Sequence, residues 1–341
     1  MPSAHQGVLL ASFYPQYAAE LKALHRMLRS HCRPPVRCLS CTVELELSYM
    51  RLRRARPKLV WEISPADGFS TLVILSALKA NNNGARLHSF DRHAEVASHL
   101  SAERYPSLHP LWTFHQGDVY MQATALMRHG RARQQRSQNR SAVTTRGPSW
   151  PLQTLAARPD YLYLDSWHSQ QMGAFYVDNL LPAVQQAHTY VSLHDVYNPL
   201  FWTDDAPNRS LVTYPSDIPN LEGSMVLDWL VYPHLADACR LFTAAPSKRG
   251  NRKHHVEILR LRAAAGLGPE ELLDPYRGAC PEPTIFFELG CSAAAAAHDG
   301  TGSALRRAGA DVSTKSAHHA ARTTAPHAAA PTTTRSTPAP G

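Results

Sequence analysis

The chain has 341 residues, of which 44% are apolar and 18% are charged. This composition supports one large folded domain or two small ones and excludes a fibre or a wholly disordered chain. The formal net charge of +8 is concentrated in two polar segments, because residues 119–159 hold seven arginines and no acid, and residues 291–341 add a net +3. The remainder is nearly neutral, so a nucleic-acid-binding face is not indicated.

The composition also bears on the compartment in which the protein works. No apolar run approaches the ~18 residues that a membrane-spanning helix needs, so no membrane partner is predicted. Six cysteines are too sparse for a disulfide framework in a chain of this length, and the N-terminus lacks the pattern of a secretory signal. We therefore expect free thiols and a cytoplasmic location, with organelle targeting left open. Cys38 and Cys41 have zinc-ligand spacing, but no second such pair accompanies them.

Residues 1–57 are predicted to form a helical N-terminal extension. Apolar residues recur at helical spacing over 17–28 and 43–52, and Pro34-Pro35 separates these two helices. From residue 58 the chain alternates between short apolar strands and helices. The predicted strands are 59–64, 86–90, 111–115, 161–165 and 189–194, and the predicted helices between them are 69–79, 95–104, 119–127 and 170–186. Five such repeats predict an α/β fold with a doubly wound, mostly parallel sheet.

The second half of the chain adds an edge to this sheet and two polar segments. A helix is predicted over 225–230, and strands over 256–261 and 284–289 are predicted to form an antiparallel edge hairpin. Residues 129–158 are predicted to be a disordered basic insert, and residues 291–341 a disordered low-complexity tail. The sequence thus divides into the extension 1–57, a domain over 58–290 and the tail 291–341.

Polar residues follow the predicted strands at their carboxyl ends. They are Ser64 to Gly68, Asp91, Asp118, Asp165 and the pair His194-Asp195. Because parallel α/β sheets bind ligands outside the carboxyl ends of their strands, a ligand site is predicted at this edge of the sheet.

The turn after the first strand indicates the kind of ligand. Its sequence, Glu62-Ile-Ser-Pro-Ala-Asp-Gly68, lacks the three glycines that a dinucleotide-binding turn needs, which counts against a nicotinamide-dependent oxidoreductase. Asp67 would repel a pyrophosphate and suits a ligand with positive charge. Asp91 is placed to accept hydrogen bonds from ribose hydroxyls, and Asp118 from an adenine amino group. A ligand with these properties and no phosphate is S-adenosylmethionine.

These motifs resemble those of the class I S-adenosylmethionine-dependent methyltransferases. The segment Glu62 to Gly68 looks like their first motif, Asp91 like their second-strand acid, and Gly117-Asp118 like their third-strand acid. The resemblance implies a Rossmann-like sheet with an antiparallel edge strand. It also implies a set of cofactor-binding residues: Glu62, Ser64, Ala66, Asp67, Gly68, Ser70, Asp91, Gly117, Asp118 and Asp165.

The resemblance is closest to the branch with macrocin O-methyltransferase-like and cephalosporin-hydroxylase-like domains. It rests on Asp165-Ser-Trp-His168 after the fourth strand, on His194-Asp195 after the fifth, and on Glu222-Gly223 before a helix. Two positions depart from the pattern, since Ser64 and Ser166 stand where glycine is usual.

Methyl transfer to a hydroxyl requires an acceptor held in line with the methyl group and a group that removes the acceptor's proton. His168, Asp165 and His194 are the candidate catalytic residues, and either histidine could act as a base near neutral pH. Relatives in this branch can hold magnesium, and the matching positions are Asp165, His194 and Asp195. Because Mg²⁺ prefers oxygen ligands, His194 weakens the prediction of a magnesium cofactor.

The predicted function is S-adenosylmethionine-dependent methyl transfer to a hydroxyl of a small molecule or sugar. Two alternatives stay open. One is a nucleic-acid or protein methyltransferase that uses the arginine-rich insert as a substrate arm, and the other is a non-catalytic or regulatory module on the same fold. The sequence identifies neither the acceptor nor the oligomeric state.

Overall fold

A computed structural model describes most of the chain before residue 291. The described residues are 9–32, 41–117, 119, 158–166, 168–185, 188–196, 200–202, 211–213, 221–231, 239–243, 252–273 and 284–290. All of them lie in the first of two compact units, Met1–Cys291, and the second unit is Ser292–Gly341. The predicted tail 291–341, almost all of the insert 129–158 and almost all of the helix 119–127 lie outside the described residues.

Two helices precede the first strand, and the others lie in the connections between strands. They are α1 (Tyr14–His31), α2 (Thr42–Ala55), α3 (Phe69–Asn81), α4 (Glu95–His99), α5 (Gln170–Phe175), α6 (Leu181–Val184), α7 (Leu221–Val231) and α8 (Arg252–Ala264). A π-helical turn, Tyr176–Leu180, joins α5 to α6. Short 3₁₀ turns lie at His109–Leu111 and Pro269–Glu271.

The strands form one large sheet and one small one. They are β1 (Leu59–Ile63), β2 (Arg86–Asp91), β3 (Trp112–Gln116), β4 (Tyr161–Leu164), β5 (Thr189–Leu193), β6 (Leu200–Trp202), β7 (Leu211–Thr213), β8 (Cys239–Thr243) and β9 (Ile285–Leu289). The large sheet has the order β3-β2-β1-β4-β5-β9-β8, and β6 pairs with β7 separately. Strands β1 to β5 are parallel, and β9 runs antiparallel to both β5 and β8. The predicted Rossmann-like sheet with an antiparallel edge strand is confirmed.

The hydrophobic core divides into two clusters of buried residues. One combines residues of α1, α2, α3 and α8 with sheet residues, and includes Leu21, Leu47, Leu72 and Ile258. The other combines residues of the α5 to α7 region with sheet residues, and includes Leu164, Phe175, Val226 and Phe287. The strands are therefore apolar on both faces, as parallel strands covered by helices require. This packing fixes the carboxyl ends of β1, β2, β4 and β5 along one edge.

The edge of the sheet differs from the sequence prediction in one element. Residues 256–261 were expected to form a strand, but they lie in α8, and the partner of β9 is β8. The reason is a tertiary contact that the local pattern does not show. Arg262, which is buried, donates from Nε and Nη2 to the carboxylate of Glu46 on α2 at 2.9–3.0 Å. Tyr14 and His25 of α1 contact the same carboxylate, so α8 is held as a helix against α1 and α2.

The cysteines also differ from expectation. Cys32 and Cys41 are both disulfide-bonded, so the prediction of free thiols is wrong for these two residues, and neither can serve as a zinc ligand. Cys32 follows the last residue of α1 and Cys41 precedes the first residue of α2. The small number of cysteines in the sequence does not show which of them lie close to another cysteine once the helices have packed. Among the described helices, none combines the length and the apolar character needed to cross a membrane.

Candidate active site

The turn after β1 has an unusual backbone. Ser64, Ala66 and Gly68 all have positive φ, at 61°, 46° and 77°. A side chain on Gly68 would place its Cβ 2.8 Å from Leu100, so both the conformation and the space require glycine here. Gly68 is the N-cap of α3, and its NH donates to the Pro65 carbonyl at 2.8 Å. The turn therefore presents its main chain at the carboxyl end of β1, where the sequence predicted cofactor contacts.

Glu62 supports this turn from inside the protein. Its fully buried carboxylate accepts hydrogen bonds from the hydroxyls of Ser70, Thr71 and Ser89 at 2.7, 2.8 and 2.5 Å. Burial raises the pKa of Glu62 to about 7, although the three hydroxyls oppose that shift. Glu62 and Ser70 thus bond to each other beneath the turn, and contact of either with the cofactor stays a prediction.

Asp91 links the carboxyl ends of three strands. Its carboxylate accepts from the main-chain NH groups of His93 at 2.9 Å and Ala66 at 3.3 Å. Its carbonyl accepts from the NH of Gly117 at 2.7 Å. The structure therefore brings Ser64, Ala66, Asp91 and Gly117 together as the sequence predicted. Asp118 lies outside the described residues.

His31 is a residue of this region that sequence reasoning missed. It is the buried last residue of α1, and its Nε2 lies 2.8 Å from the carbonyl of Asp67. Because a carbonyl only accepts, Nε2 donates, and Nδ1 of the neutral ring accepts from the Tyr105 hydroxyl at 3.0 Å. Burial lowers the pKa of His31, which agrees with the neutral form. His31 at the end of α1 thus contacts the turn Ser64 to Gly68, the proposed cofactor turn.

His194 lies at the centre of a cluster of carboxylates after β4 and β5. Its Nδ1 is 2.7 Å from Asp195 Oδ1 and 3.4 Å from Asp165 Oδ1. Its Nε2 is 3.4 Å from Oε2 of Glu44, a residue of α2. Burial would lower the pKa of His194, but the charges of Asp195 and Asp165 outweigh it and raise the pKa well above its usual value. The surrounding carboxylates therefore favour the charged form of the imidazole.

His168 is a second imidazole of this cluster and also lies between two carboxylates. Its Nδ1 is 3.4 Å from Glu222 Oε2, which also accepts from the Ser166 hydroxyl at 2.8 Å, and its Nε2 is 3.6 Å from Asp195 Oδ2. Burial opposes the charged ring, but Asp195 and Glu222 outweigh it and raise the pKa of His168 to about 10. Burial also works against the charge of Asp195, yet His194 and His168 lower its pKa below the usual range.

The backbone at this cluster is strained. His168 and Asp195 have φ of 54° and 52°, in the left-handed region that few non-glycine residues adopt and in which Asn, Asp and His are the commonest of them. Each such residue costs on the order of 1–3 kcal/mol and is retained where the surrounding structure fixes it, most often at functional sites. Together with Ser64 and Ala66, four of the strained residues lie along one edge of the sheet.

The predicted metal ligands are close together. Asp165, His194 and Asp195 each offer one ligand atom, and these atoms lie within 4.8 Å of one another. A histidine ligates a metal only in its neutral form, and Mg²⁺ prefers oxygen. Both nitrogens of His194 face carboxylates, so the third donor of this cluster is an imidazole rather than an oxygen. The donor set does not fit magnesium, whose use stays a prediction.

Comparison with known proteins gives a match over the core of the domain. Residues 62–196 match a family model described as "Methyltransferase domain". A search of curated proteins found no match. Among solved structures, one that is similar is the O-methyltransferase TomG from Streptomyces achromogenes, involved in tomaymycin synthesis and solved with S-adenosylmethionine. Its sequence is 12% identical, the comparison covers 80% of this chain and 90% of that chain, and the TM-score is 0.43. An O-methyltransferase from Bacillus cereus, solved with S-adenosylhomocysteine, is 11% identical at the same coverages, with a TM-score of 0.40.

The family match and the order of the sheet agree on the class of protein. The match begins within β1, covers β2 to β5 and ends just after the His194-Asp195 pair, so it contains the turn Ser64 to Gly68, Asp91 and most of the charged cluster. Residues 62–196 thus match a methyltransferase domain on a Rossmann-like sheet, which agrees with the class that the motifs predicted.

Proposed function

We propose that this enzyme transfers a methyl group from S-adenosylmethionine to a hydroxyl group of a small molecule or sugar. The observation that carries the proposal is the cluster of alternating carboxylates and imidazoles after β4 and β5. The main chain of Asp165 donates to the carbonyl of Ile63, which directly precedes the cofactor turn, so the cluster and the turn share one edge. When bound, S-adenosylmethionine supplies a methyl group on a positively charged sulfur.

Asp91 is the residue that we propose to hold the ribose. Each of its carboxylate oxygens accepts one main-chain hydrogen bond. A carboxylate has about four lone-pair positions, so two remain for the two ribose hydroxyls. The turn at Ser64 to Gly68 and the main chain at Gly117 complete the proposed cofactor contacts at the same edge.

His168 and Asp165 are the residues that we propose to act on the acceptor. His168 Nε2 is 3.6 Å from Asp195, which is longer than a hydrogen bond, so this N–H can donate to the acceptor oxygen. A donor with full charge favours the deprotonated form of a hydroxyl. Asp165, whose side chain is 23% exposed and is the most accessible carboxylate of the cluster, then takes the hydroxyl proton. The oxygen–methyl bond forms as the sulfur–methyl bond breaks, and the electron pair stays on sulfur.

The test is turnover by the full chain with S-adenosylmethionine and a panel of catechols, simple phenols and methyl glycosides. Formation of S-adenosylhomocysteine with one acceptor class, retained in the presence of EDTA, supports the proposal. We expect His168→Gln and Asp165→Asn to lower kcat by roughly 10²–10⁴-fold, the usual range for groups that assist proton transfer. The affinity for S-adenosylmethionine should change little in His168→Gln.

Three other outcomes would contradict all or part of this proposal. Binding of S-adenosylmethionine without methylation of any acceptor supports the non-catalytic module. Methylation of an RNA or another polyanion, lost when residues 129–158 are removed while S-adenosylmethionine binding is retained, supports the macromolecular alternative. Loss of all turnover in EDTA, restored by magnesium, would show that a metal acts in the cluster despite the donor set.

The limits of the catalytic domain and the cytoplasmic location of the protein are also proposals. We take residues 58–290 as the catalytic domain and residues 1–57 as an extension, although His31 and Glu44 place the extension at the site. The cytoplasmic location stays a prediction. The disulfide-bonded Cys32 and Cys41 argue against it, because disulfides persist mainly in oxidising compartments.

A further inference from the structure

Glu44 lies in the first turn of α2, outside the segment that matches the methyltransferase family model. Its side chain is 1% exposed. Oε1 accepts from the main-chain NH of Thr284 at 2.7 Å, and Oε2 accepts from the Thr284 hydroxyl at 3.0 Å. The same Oε2 lies 3.4 Å from His194 Nε2. Glu44 therefore joins the N-terminal extension, the start of β9 and the charged cluster.

The neighbouring buried glutamate of the same helix has a different environment. Glu46 is also 1% exposed, but its carboxylate is paired with Arg262 and contacts Tyr14 and His25. Residues two apart on a helix point about 200° apart around its axis, so the two carboxylates face different neighbours. Glu46 explains the packing of α8. The carboxylate of Glu44 instead contacts the uncharged Thr284 and the imidazole of His194.

A buried carboxylate is costly unless a charge or several donors compensate it. Thr284 supplies two neutral donors, and the imidazole of His194 lies 3.4 Å from Oε2. His194 is in turn contacted at both ring nitrogens, by Glu44 at Nε2 and by Asp195 and Asp165 at Nδ1. These contacts are ion-pair distances rather than aligned hydrogen bonds, and they hold the ring between carboxylates on two sides.

We propose that Glu44 is a positioning residue for methyl transfer, which fixes the ring of His194 through Nε2 and so holds the carboxylates of Asp165 and Asp195 in place. The inference rests on the proposed function, because it assigns Asp165 to the acceptor's proton. It makes the N-terminal extension a part of the active site. Glu44 itself touches neither the acceptor nor the reacting sulfur.

The variant Glu44→Gln tests this role. The amide keeps an oxygen for the Thr284 NH and removes the negative charge beside His194. We expect kcat with the best catechol or phenol to fall at least tenfold while the KM for S-adenosylmethionine stays within about twofold. Thr284→Val, which removes only the hydroxyl donor to Glu44, is the matched control and should lower the melting temperature with little effect on kcat.

A double-mutant cycle separates positioning from folding. In a His194→Gln background, Glu44→Gln should have no further effect on kcat, because the ring that it positions is gone. An equal loss of kcat in both backgrounds would overturn the proposal. So would a loss of kcat that matches the loss of folded protein.

A measurement without any acceptor keeps the two proposals distinguishable. In histidine-labelled protein, the ¹⁵N resonance of His194 Nε2 should shift in Glu44→Gln and stay in place in the control Glu46→Gln. If Glu46→Gln does not fold, Thr284→Val serves as the control, and its resonance should also stay in place. An unchanged resonance in Glu44→Gln overturns the contact and hence the inference. If the resonance shifts but wild-type protein methylates no acceptor, the proposed function fails, and the catalytic role of Glu44 fails with it.

Discussion

The carboxylate of Asp91, at the end of β2, accepts a hydrogen bond from the main-chain NH of Ala66 in the turn after β1, across 3.3 Å. The two residues are 25 positions apart, and the contact joins the second-strand acid to the cofactor turn. Because Ala66 also has a positive φ, Asp91 stabilises a turn conformation that is otherwise unfavourable. Asp91 thus both shapes the turn and offers oxygens at the same edge.

The first prediction concerns this dual role of Asp91. Removing the carboxylate in Asp91→Ala should weaken S-adenosylmethionine binding at least 100-fold, since hydrogen bonds to charged groups are worth about 1.5–3 kcal/mol each and two are lost. Isothermal titration measures the affinity. Asp160→Ala is the control, because Asp160 accepts from the NH groups of Lys58 and Leu59 at the opposite end of β1. Equal affinity in wild type and Asp91→Ala would contradict the assignment.

The second prediction concerns Ser64, which stands where the resembling family usually has glycine. With φ at 61°, Ser64 bears a cost of about 1–2 kcal/mol that glycine does not. Ser64→Gly should therefore raise the free energy of unfolding by roughly 0.5–1 kcal/mol, after the larger backbone entropy of glycine is subtracted. The reverse sign is expected for Ser76→Gly within α3, where glycine weakens a helix. Urea denaturation of both variants measures these changes in the free energy of unfolding.

The third prediction concerns the pH dependence of stability at Glu62. Its pKa is about 7 in the folded protein, against 4.5 for the free side chain. Between these values the native state keeps a proton that the unfolded state loses, so the free energy of unfolding should fall as pH rises from 4.5 to 7. The contribution is on the order of 3 kcal/mol, since one pKa unit corresponds to about 1.4 kcal/mol.

The variant Glu62→Gln isolates this effect. It has no proton to lose, so its free energy of unfolding should decline less between pH 5 and pH 8 than that of the wild type. Glu103→Gln, at an exposed position, should behave as the wild type does. Parallel pH profiles for wild type and Glu62→Gln would show that the buried carboxylate is not protonated in the native state.

The fourth prediction concerns Cys32 and Cys41. Because both are disulfide-bonded at the ends of α1 and α2, reduction should lower the stability of the protein, by about 2–4 kcal/mol for a typical bridge. The melting temperature with and without a phosphine reductant measures this. In the double variant Cys32→Ser, Cys41→Ser, the reductant should cause a smaller shift. A melting temperature insensitive to reductant in the wild type would contradict the disulfides.

The sequence by itself determined strands β1 to β5 and the methyltransferase domain, whereas its assignment of a cofactor turn stays a prediction. Strands β1 to β5 are short apolar runs with polar residues at their carboxyl ends, and this pattern is local and readable. The same locality explains why Asp91, His168 and His194 could be named as site residues. Parallel strands bring their carboxyl ends to one edge whatever the details of packing.

Only the tertiary structure decided which partners these residues have. Glu44 lies 150 positions from His194, Glu222 lies 54 from His168, and Arg262 lies 216 from Glu46, and no local pattern encodes such pairs. The helix α8 was mistaken for a strand for the same reason, since a short apolar run fits either structure until Arg262 finds its carboxylate. Local periodicity fixes which face of an element is buried, whereas the charge state and orientation of a buried side chain depend on neighbours that only the packed fold supplies.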